Sequence, residues 1–253
     1  MLKAIVFDLD GVVTYTARIH AAAWKELFDD FLRDKNRQSG KVFEPFTAND
    51  YADYVDGKPR IDGVVSFLNA RGIQIPLGSP ADSPLAESAW GLGNRKNRLF
   101  VQKLQEMGVD VDDEAVRFVR ELRAQGLRTG LASSSKNAVL ILERVRLRSL
   151  FDAVVDGVIS QRLNLKGKPA PDIFLHCLSE LSPSIQPRDA AVVEDAISGV
   201  EAGRRGHFGF VLGVDRDGKR NLQRHGADCV IRSFSGLTAD RFSELFAGRI
   251  KAA

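Results

Sequence analysis

The chain alternates between short, nearly continuous apolar runs and longer stretches in which apolar residues recur every three or four positions. The short runs cover residues 4–7, 128–132, 153–155, 190–193, 208–212 and 228–231. Runs of this kind predict strands covered on both faces, and their alternation with amphipathic helices predicts βαβ units and a parallel sheet. The expected fold class is therefore α/β, a doubly wound, Rossmann-like parallel sheet. The first run ends at Asp8, and the next convincing strand starts only at Arg128. Between them lie helical patterns at 20–32 and 97–107 and a polar stretch at 33–53. An inserted helical cap over roughly residues 15–105 is expected, with residues 1–14 and 106–253 forming the core domain. No internal repeat or low-complexity tract interrupts this scheme.

Composition narrows the picture. A chain of 253 residues can bury a substantial core, and two cysteines exclude a disulfide scaffold. Cys177 and Cys229 lie in apolar surroundings and read as reduced, buried thiols, which points to a reducing compartment. The apolar run before Asp8 is too short for a signal peptide or a membrane span, so a soluble, cytoplasmic protein is expected. With 36 basic against 33 acidic residues interspersed, the net charge of +3 gives no reason to expect a nucleic-acid or membrane partner.

Four segments at the carboxyl ends of predicted strands carry chemistry. Asp8 and Asp10, in Asp8-Leu9-Asp10-Gly11-Val12-Val13-Thr14, place two carboxylates at the sheet edge where open α/β folds bind ligands. Ser133, Ser134, Ser135, Lys136 and Asn137 follow a strand and open a helix, a place where hydroxyls and unpaired amides suit an anion. A simple N-cap is the plainer alternative. Lys168 precedes Pro169 and Pro171, which are expected to hold the chain extended ahead of a helix. A lysine so placed serves as a point charge on phosphate, and the plainer alternative is an exposed loop lysine. Glu194 and Asp195 end another apolar strand, and hard oxygen ligands gathered at one edge suit Mg²⁺. Gly91 and Gly93 do not make a dinucleotide loop, because Lys96 stands where a third glycine is needed and no strand precedes them.

In this order, the four segments resemble the four motifs of the haloacid dehalogenase superfamily over nearly the whole chain. The run from Asp8 to Thr14, together with His20, Ala23-Trp24-Lys25, Arg95-Lys96-Asn97, Ser133 to Asn137 and Lys168 to Phe174, is similar to the β-phosphoglucomutase family. The longer cap, with residues 54–60 and 91–97, resembles a bacterial branch of it associated with disaccharide phosphorylases. The resemblance implies that Asp8 attacks a phosphoryl group to form an aspartyl-phosphate and that Asp10 is general acid and base. It implies that Mg²⁺ is held by the Asp8 carboxylate, the Asp10 carbonyl, Glu194 and Asp195. It further implies that Ser133 and Lys168 hold the transferring phosphate, while Arg60, Ser135, Lys136 and Asn137 hold the second phosphate of a bisphosphate intermediate. His20 and Lys96 resemble the family's cap-closure pair, the alternative being a solvated helix face.

The activity implied is interconversion of β-glucose 1-phosphate and glucose 6-phosphate through glucose 1,6-bisphosphate, in a monomer. A sugar-phosphate phosphatase is the rival, because one nucleophile serves both reactions. Two departures from the family pattern stand out. Tyr15 replaces an aspartate at the expected hinge, and Pro59 replaces a serine before Arg60.

Overall fold

The computed structural model describes residues 1–40 and 42–252. The chain divides into two compact units, one made of Met1–Tyr15 with the chain from Asp110 onward, the other of Thr16–Val109.

The first unit is built on six parallel strands: β1 Ala4–Phe7, β2 Arg128–Ala132, β3 Ala153–Val155, β4 Ala190–Glu194, β5 Phe210–Val214 and β6 Cys229–Ile231. Their order is β3-β2-β1-β4-β5-β6, so the winding reverses between β1 and β4. That reversal opens a crevice at the strands' carboxyl ends, where ligands of doubly wound sheets bind. Alternate residues of β1 face opposite layers. Ala4 and Val6 join a cluster with Phe174, Cys177 and Leu178, while Phe7 meets Phe118 and Phe151 edge-on on the other side.

Strand ends differ slightly from the sequence reading, for local reasons. Gly209 donates its N–H to Pro187 and Ala190 carbonyls, which turns Phe208 into the core against Phe174 before β5 begins. Asp228 does not enter β6, because its carboxylate accepts from the Val211 N–H at 2.8 Å.

The second unit is helical: α1 Ala17–Ser39, α2 Ala48–Asp50, a π-helical turn Tyr51–Val55, α3 Arg60–Ala70 and α4 Ala89–Met107. The pattern at 20–32 is thus part of a longer helix, ended by left-handed Gly40. The pattern at 97–107 is the second half of α4, whose start is fixed by Ser88 accepting from the Gly91 N–H. Within the polar stretch, Thr47 and Asp50 form a reciprocal capping box. Trp24, Phe28, Phe46 and Phe67 stack into the core of this unit, with Phe28 and Phe67 centroids 4.1 Å apart. Each such ring contributes about 1.5–3 kcal/mol by leaving water.

The first unit adds α5 Asp113–Ala124, α6 Ala138–Arg144, α7 Gly157–Arg162, α8 Asp172–Leu181, α9 Ile197–Arg205 and α10 Ala239–Ala252. Among the described residues no helix is long and apolar enough to cross a membrane. Both cysteines are free thiols. Cys177 is buried as expected, but Cys229 is only half-buried because β6 is the sheet's outer strand.

Candidate active site

Register explains why distant residues meet. Phe7 pairs with Val193 on one side and Leu131 on the other, so Asp8, Glu194 and Ser133 emerge close together at one edge. The Asp8 N–H still donates to the Val193 carbonyl, which carries the pairing one residue beyond β1. Asp8 Oδ2 accepts from the Asp10 N–H at 2.8 Å, and Oδ1 accepts from Lys168 Nζ at 2.7 Å. Lys168 Nζ also reaches Glu194 Oε1 at 2.6 Å and lies 4.7 Å from the Phe174 ring centre.

Lys168 is only 2 % exposed, which overturns the loop-lysine alternative. Nor is the segment before α8 extended throughout, since Pro171 has helical angles (φ −81°, ψ −4°) and caps the helix. Burial pushes the Asp8 carboxyl up. Lys168 opposes that shift, while Glu194 and Asp10 reinforce it. Lys168 stays protonated despite its own burial, because Asp8 and Glu194 both face it.

Glycines set the spacing of these acids. A Cβ on Gly199 would stand 1.8 Å from Glu194 Oε1, and one on Gly11, where φ is +88°, would stand 2.0 Å from Asp195 Oδ2. The Glu194 carboxylate therefore rests on the first turn of α9, with Oε2 accepting from the Ala196 N–H at 2.6 Å. Gly199→Ala should displace Glu194 from Lys168, lowering unfolding free energy by about 1–3 kcal/mol, as overpacking typically does. Chemical denaturation checks this, and an unchanged midpoint together with unchanged activity would show that Glu194 has room to move.

Ser133 is buried, donates to Asp10 Oδ2 at 3.3 Å and accepts from the Ser135 N–H at 3.1 Å. Ser135 in turn accepts from the Asn137 N–H, so these hydroxyls order the loop before α6 as well as facing the edge. Lys136 donates to Gln161, a partner the sequence did not indicate.

In the helical unit, Lys96 Nζ and His20 Nδ1 are 2.7 Å apart, with the Lys96 ammonium 5.0 Å from both the Trp24 and Phe100 ring centres. Lys96 is buried, so the pair does not lie on a solvated helix face. Arg60 begins α3 and donates to Asn97 Oδ1 at 3.0 Å. Among the described residues no carboxylate pairs with it, and burial draws its pKa down to about 10, still charged at neutral pH. Pro59 precedes the helix in an extended conformation, where it offers no side-chain cap. Gly91 and Gly93 lie inside α4, where a Cβ would meet the Ala86 carbonyl oxygen at 2.2 Å and Ile61 Cδ1 at 2.7 Å respectively, so they serve packing.

Tyr15 is anchored. Its hydroxyl donates to Asp112 Oδ2 at 3.1 Å and accepts from Arg216 Nη1 at 3.3 Å, and the Arg216 guanidinium lies 4.5 Å from its ring centre. Arg216 and Arg220 were not singled out by sequence. The available signal was their position after an apolar strand, in Val214-Asp215-Arg216-Asp217-Gly218, which reads as an ordinary turn.

Among the described residues no three His, Cys, Asp or Glu side chains are gathered as metal ligands; Lys168 and Arg220 engage the acids instead. The donor chemistry nevertheless suits Mg²⁺, with hard carboxylate oxygens on two adjacent strand ends. The upward push on Asp8 comes first from burial, with Glu194 and Asp10 adding to it against Lys168, so a further cation beside the carboxylate would favour its charged form.

Comparison with known proteins identifies the family. A family model described as haloacid dehalogenase-like hydrolase matches residues 2–207. A β-phosphoglucomutase of Mycobacterium bovis is 44 % identical over 241 residues, covering 93 % of this chain and 91 % of that protein. A β-phosphoglucomutase of Bacillus subtilis is 32 % identical over 243 residues, covering 96 % and 95 %. The crystal structure of a β-phosphoglucomutase from Clostridium difficile superposes with a TM-score of 0.77 over 99 % of this chain and 100 % of that one; at 23 % identity it speaks to the fold. Motifs, sheet order and relatives converge, and the chain belongs to the β-phosphoglucomutase-like branch of the haloacid dehalogenase-like hydrolases, as a phosphoryl-transfer enzyme.

Proposed function

We propose that the protein is a β-phosphoglucomutase, interconverting β-glucose 1-phosphate and glucose 6-phosphate through an aspartyl-phosphate and glucose 1,6-bisphosphate. Asp8 is the nucleophile, which divides one difficult transfer into two easier ones. Asp10 moves the proton of the sugar hydroxyl, and its carboxylate is steadied by Ser133 Oγ. Lys168 and Ser133 hold the transferring phosphate. Ser135, Lys136 and Asn137 are assigned, with Arg60, to the phosphate that is not being transferred. His20 and Lys96 act together in the helical unit on closure. The carboxylates of Asp8, Glu194 and Asp195 and the carbonyl of Asp10 would hold Mg²⁺. When bound, that ion supplies positive charge against the repulsion between nucleophile and phosphate.

The observation that carries the mutase reading is Arg60, a half-buried guanidinium whose hydrogen bond goes to the neutral amide of Asn97. Such a group suits a phosphate, which it can take in a two-pronged contact. A phosphatase of sugar monophosphates has no requirement for a second phosphate site. The test supplies Mg²⁺, β-glucose 1-phosphate and a bisphosphate primer, and follows glucose 6-phosphate beside inorganic phosphate. Wild type should form mainly glucose 6-phosphate. Arg60→Ala should lose about two to three orders of magnitude of that rate, or roughly 3–4 kcal/mol of transition-state stabilisation. Phosphate release should persist. A wild type that yields only phosphate makes the protein a sugar-phosphate phosphatase, and an unaffected Arg60→Ala variant removes Arg60 from the site.

A further inference from the structure

The loop after β5 has no part in the roles assigned above, yet two of its arginines reach the catalytic edge. The loop is fixed from within. Asp215 is buried, and its carboxylate accepts from the N–H groups of Gly218 at 3.0 Å, Lys219 at 3.2 Å and Arg220 at 3.0 Å. From this base Arg220 Nη1 donates to the Asp195 carbonyl at 2.7 Å and to Asp195 Oδ2 at 3.0 Å. Arg216 donates to the Gly11 carbonyl at 2.9 Å and the Val12 carbonyl at 3.1 Å. Gly11 is the residue against which the Asp195 carboxylate rests. One loop therefore grips both sides of the contact between the end of β4 and the turn after the nucleophile.

We propose that Arg220 is a positioning residue that keeps Asp195 a one-oxygen metal ligand and so makes the site prefer Mg²⁺ over Ca²⁺. The inference rests on the magnesium reading above. A nitrogen that holds both the carbonyl and one carboxylate oxygen of the same residue fixes that side chain's rotation and occupies Oδ2. Mg²⁺ demands rigid octahedral geometry and takes few protein carboxylates, whereas Ca²⁺ accepts six to eight oxygens and readily takes a carboxylate by both of them. A carboxylate free to swing and chelate favours the larger ion. Arg220 also carries a charge, which repels either cation. Because both ions are divalent, that repulsion lowers the two affinities alike and leaves their ratio unchanged.

The ratio is therefore the readout. Dissociation constants for Mg²⁺ and Ca²⁺ are measured by calorimetry, without substrate, on wild type, Arg220→Met and Arg220→Lys. The preference for Mg²⁺ should fall by about ten- to a hundredfold in Arg220→Met, the scale on which removing an outer partner of a ligand alters metal affinity. It should fall by less in Arg220→Lys, whose ammonium keeps the charge and can hold Oδ2. The lysine variant decides the matter alone if the methionine variant does not fold, since its ratio must still drop. If both affinities move together in the folded variants and the ratio stays at its wild-type value, Arg220 acts through charge only and the proposal is wrong. If wild type binds neither ion, the magnesium reading itself fails and takes this inference with it.

Discussion

Asp8→Asn is expected to lower turnover by about four to six orders of magnitude, the scale of loss when a covalent nucleophile is removed. The amide keeps the shape of the carboxylate but has no charge with which to attack phosphorus. Two opposing effects on stability should nearly cancel. An amide that keeps its oxygen on Lys168 turns its NH₂ toward the Asp10 N–H, which now donates to Oδ2, and a lost buried hydrogen bond costs about 1–3 kcal/mol. Against this, the substitution removes a carboxylate whose ionisation burial already opposes. Glu194 remains to neutralise Lys168. The midpoint of urea denaturation should therefore move little while the rate collapses. A variant that retains a tenth of wild-type turnover, after purification that excludes wild-type contamination, would falsify the assignment of Asp8.

Much of this arrangement was legible in the sequence because it depends on continuous apolar runs and on the polar residues directly after them. β1, β2 and β3 could be bounded to the residue, since each is a short run closed by a polar residue. The starts of β5 and β6 could not, because they are decided by hydrogen bonds to Pro187, Ala190 and Val211, which are distant in sequence from the strand ends they set, and β5 runs on to Val214 because that residue pairs with Ile231 of β6. The acids and the serine run stood out because each sits directly after a strand. Lys168 was recognised as a charge, but its environment was not. Nothing in Lys166-Gly167-Lys168-Pro169 reveals that one lysine lies between two carboxylates brought together by the β1–β4 register. Tyr15 looked like a neutral replacement at a hinge, yet it is gripped by Asp112 and Arg216, residues about 100 and 200 positions away in the chain. Arginines that act by holding carbonyls leave no spacing pattern, so the loop after β5 was invisible until its contacts could be measured.

Lys168→Met should be the most disruptive single change to the core unit. The methionine fills most of the lysine's volume and can place its sulfur against Phe174, so the loss of packing is small. The substitution removes the cation 2.7 Å from Asp8 Oδ1 and 2.6 Å from Glu194 Oε1, both side chains being nearly fully buried. Removing one partner of a buried ion pair leaves uncompensated charge and costs about 3–5 kcal/mol. The sign with pH is set by Asp8. Burial raises its folded-state pKa, Lys168 opposes that shift, and the variant loses the opposition. A carboxyl with a folded pKa above its unfolded value favours the folded state while protonated and loses that contribution as pH rises through the folded pKa. The stability gap between variant and wild type should therefore be smaller at pH 6 and widen toward pH 9, as pH passes the value of about 8 to which burial raises the wild-type Asp8 carboxyl. Added Mg²⁺ should narrow it at pH 9, since a divalent cation replaces the missing charge. Turnover should fall by at least about two to three orders of magnitude, because the contact to the transferring phosphate is lost too. Urea denaturation at the two pH values, with and without Mg²⁺, measures the stability effects, and the mutase assay measures the rate. Equal stability of variant and wild type at pH 9 without metal would mean that Lys168 does not neutralise this pair of acids.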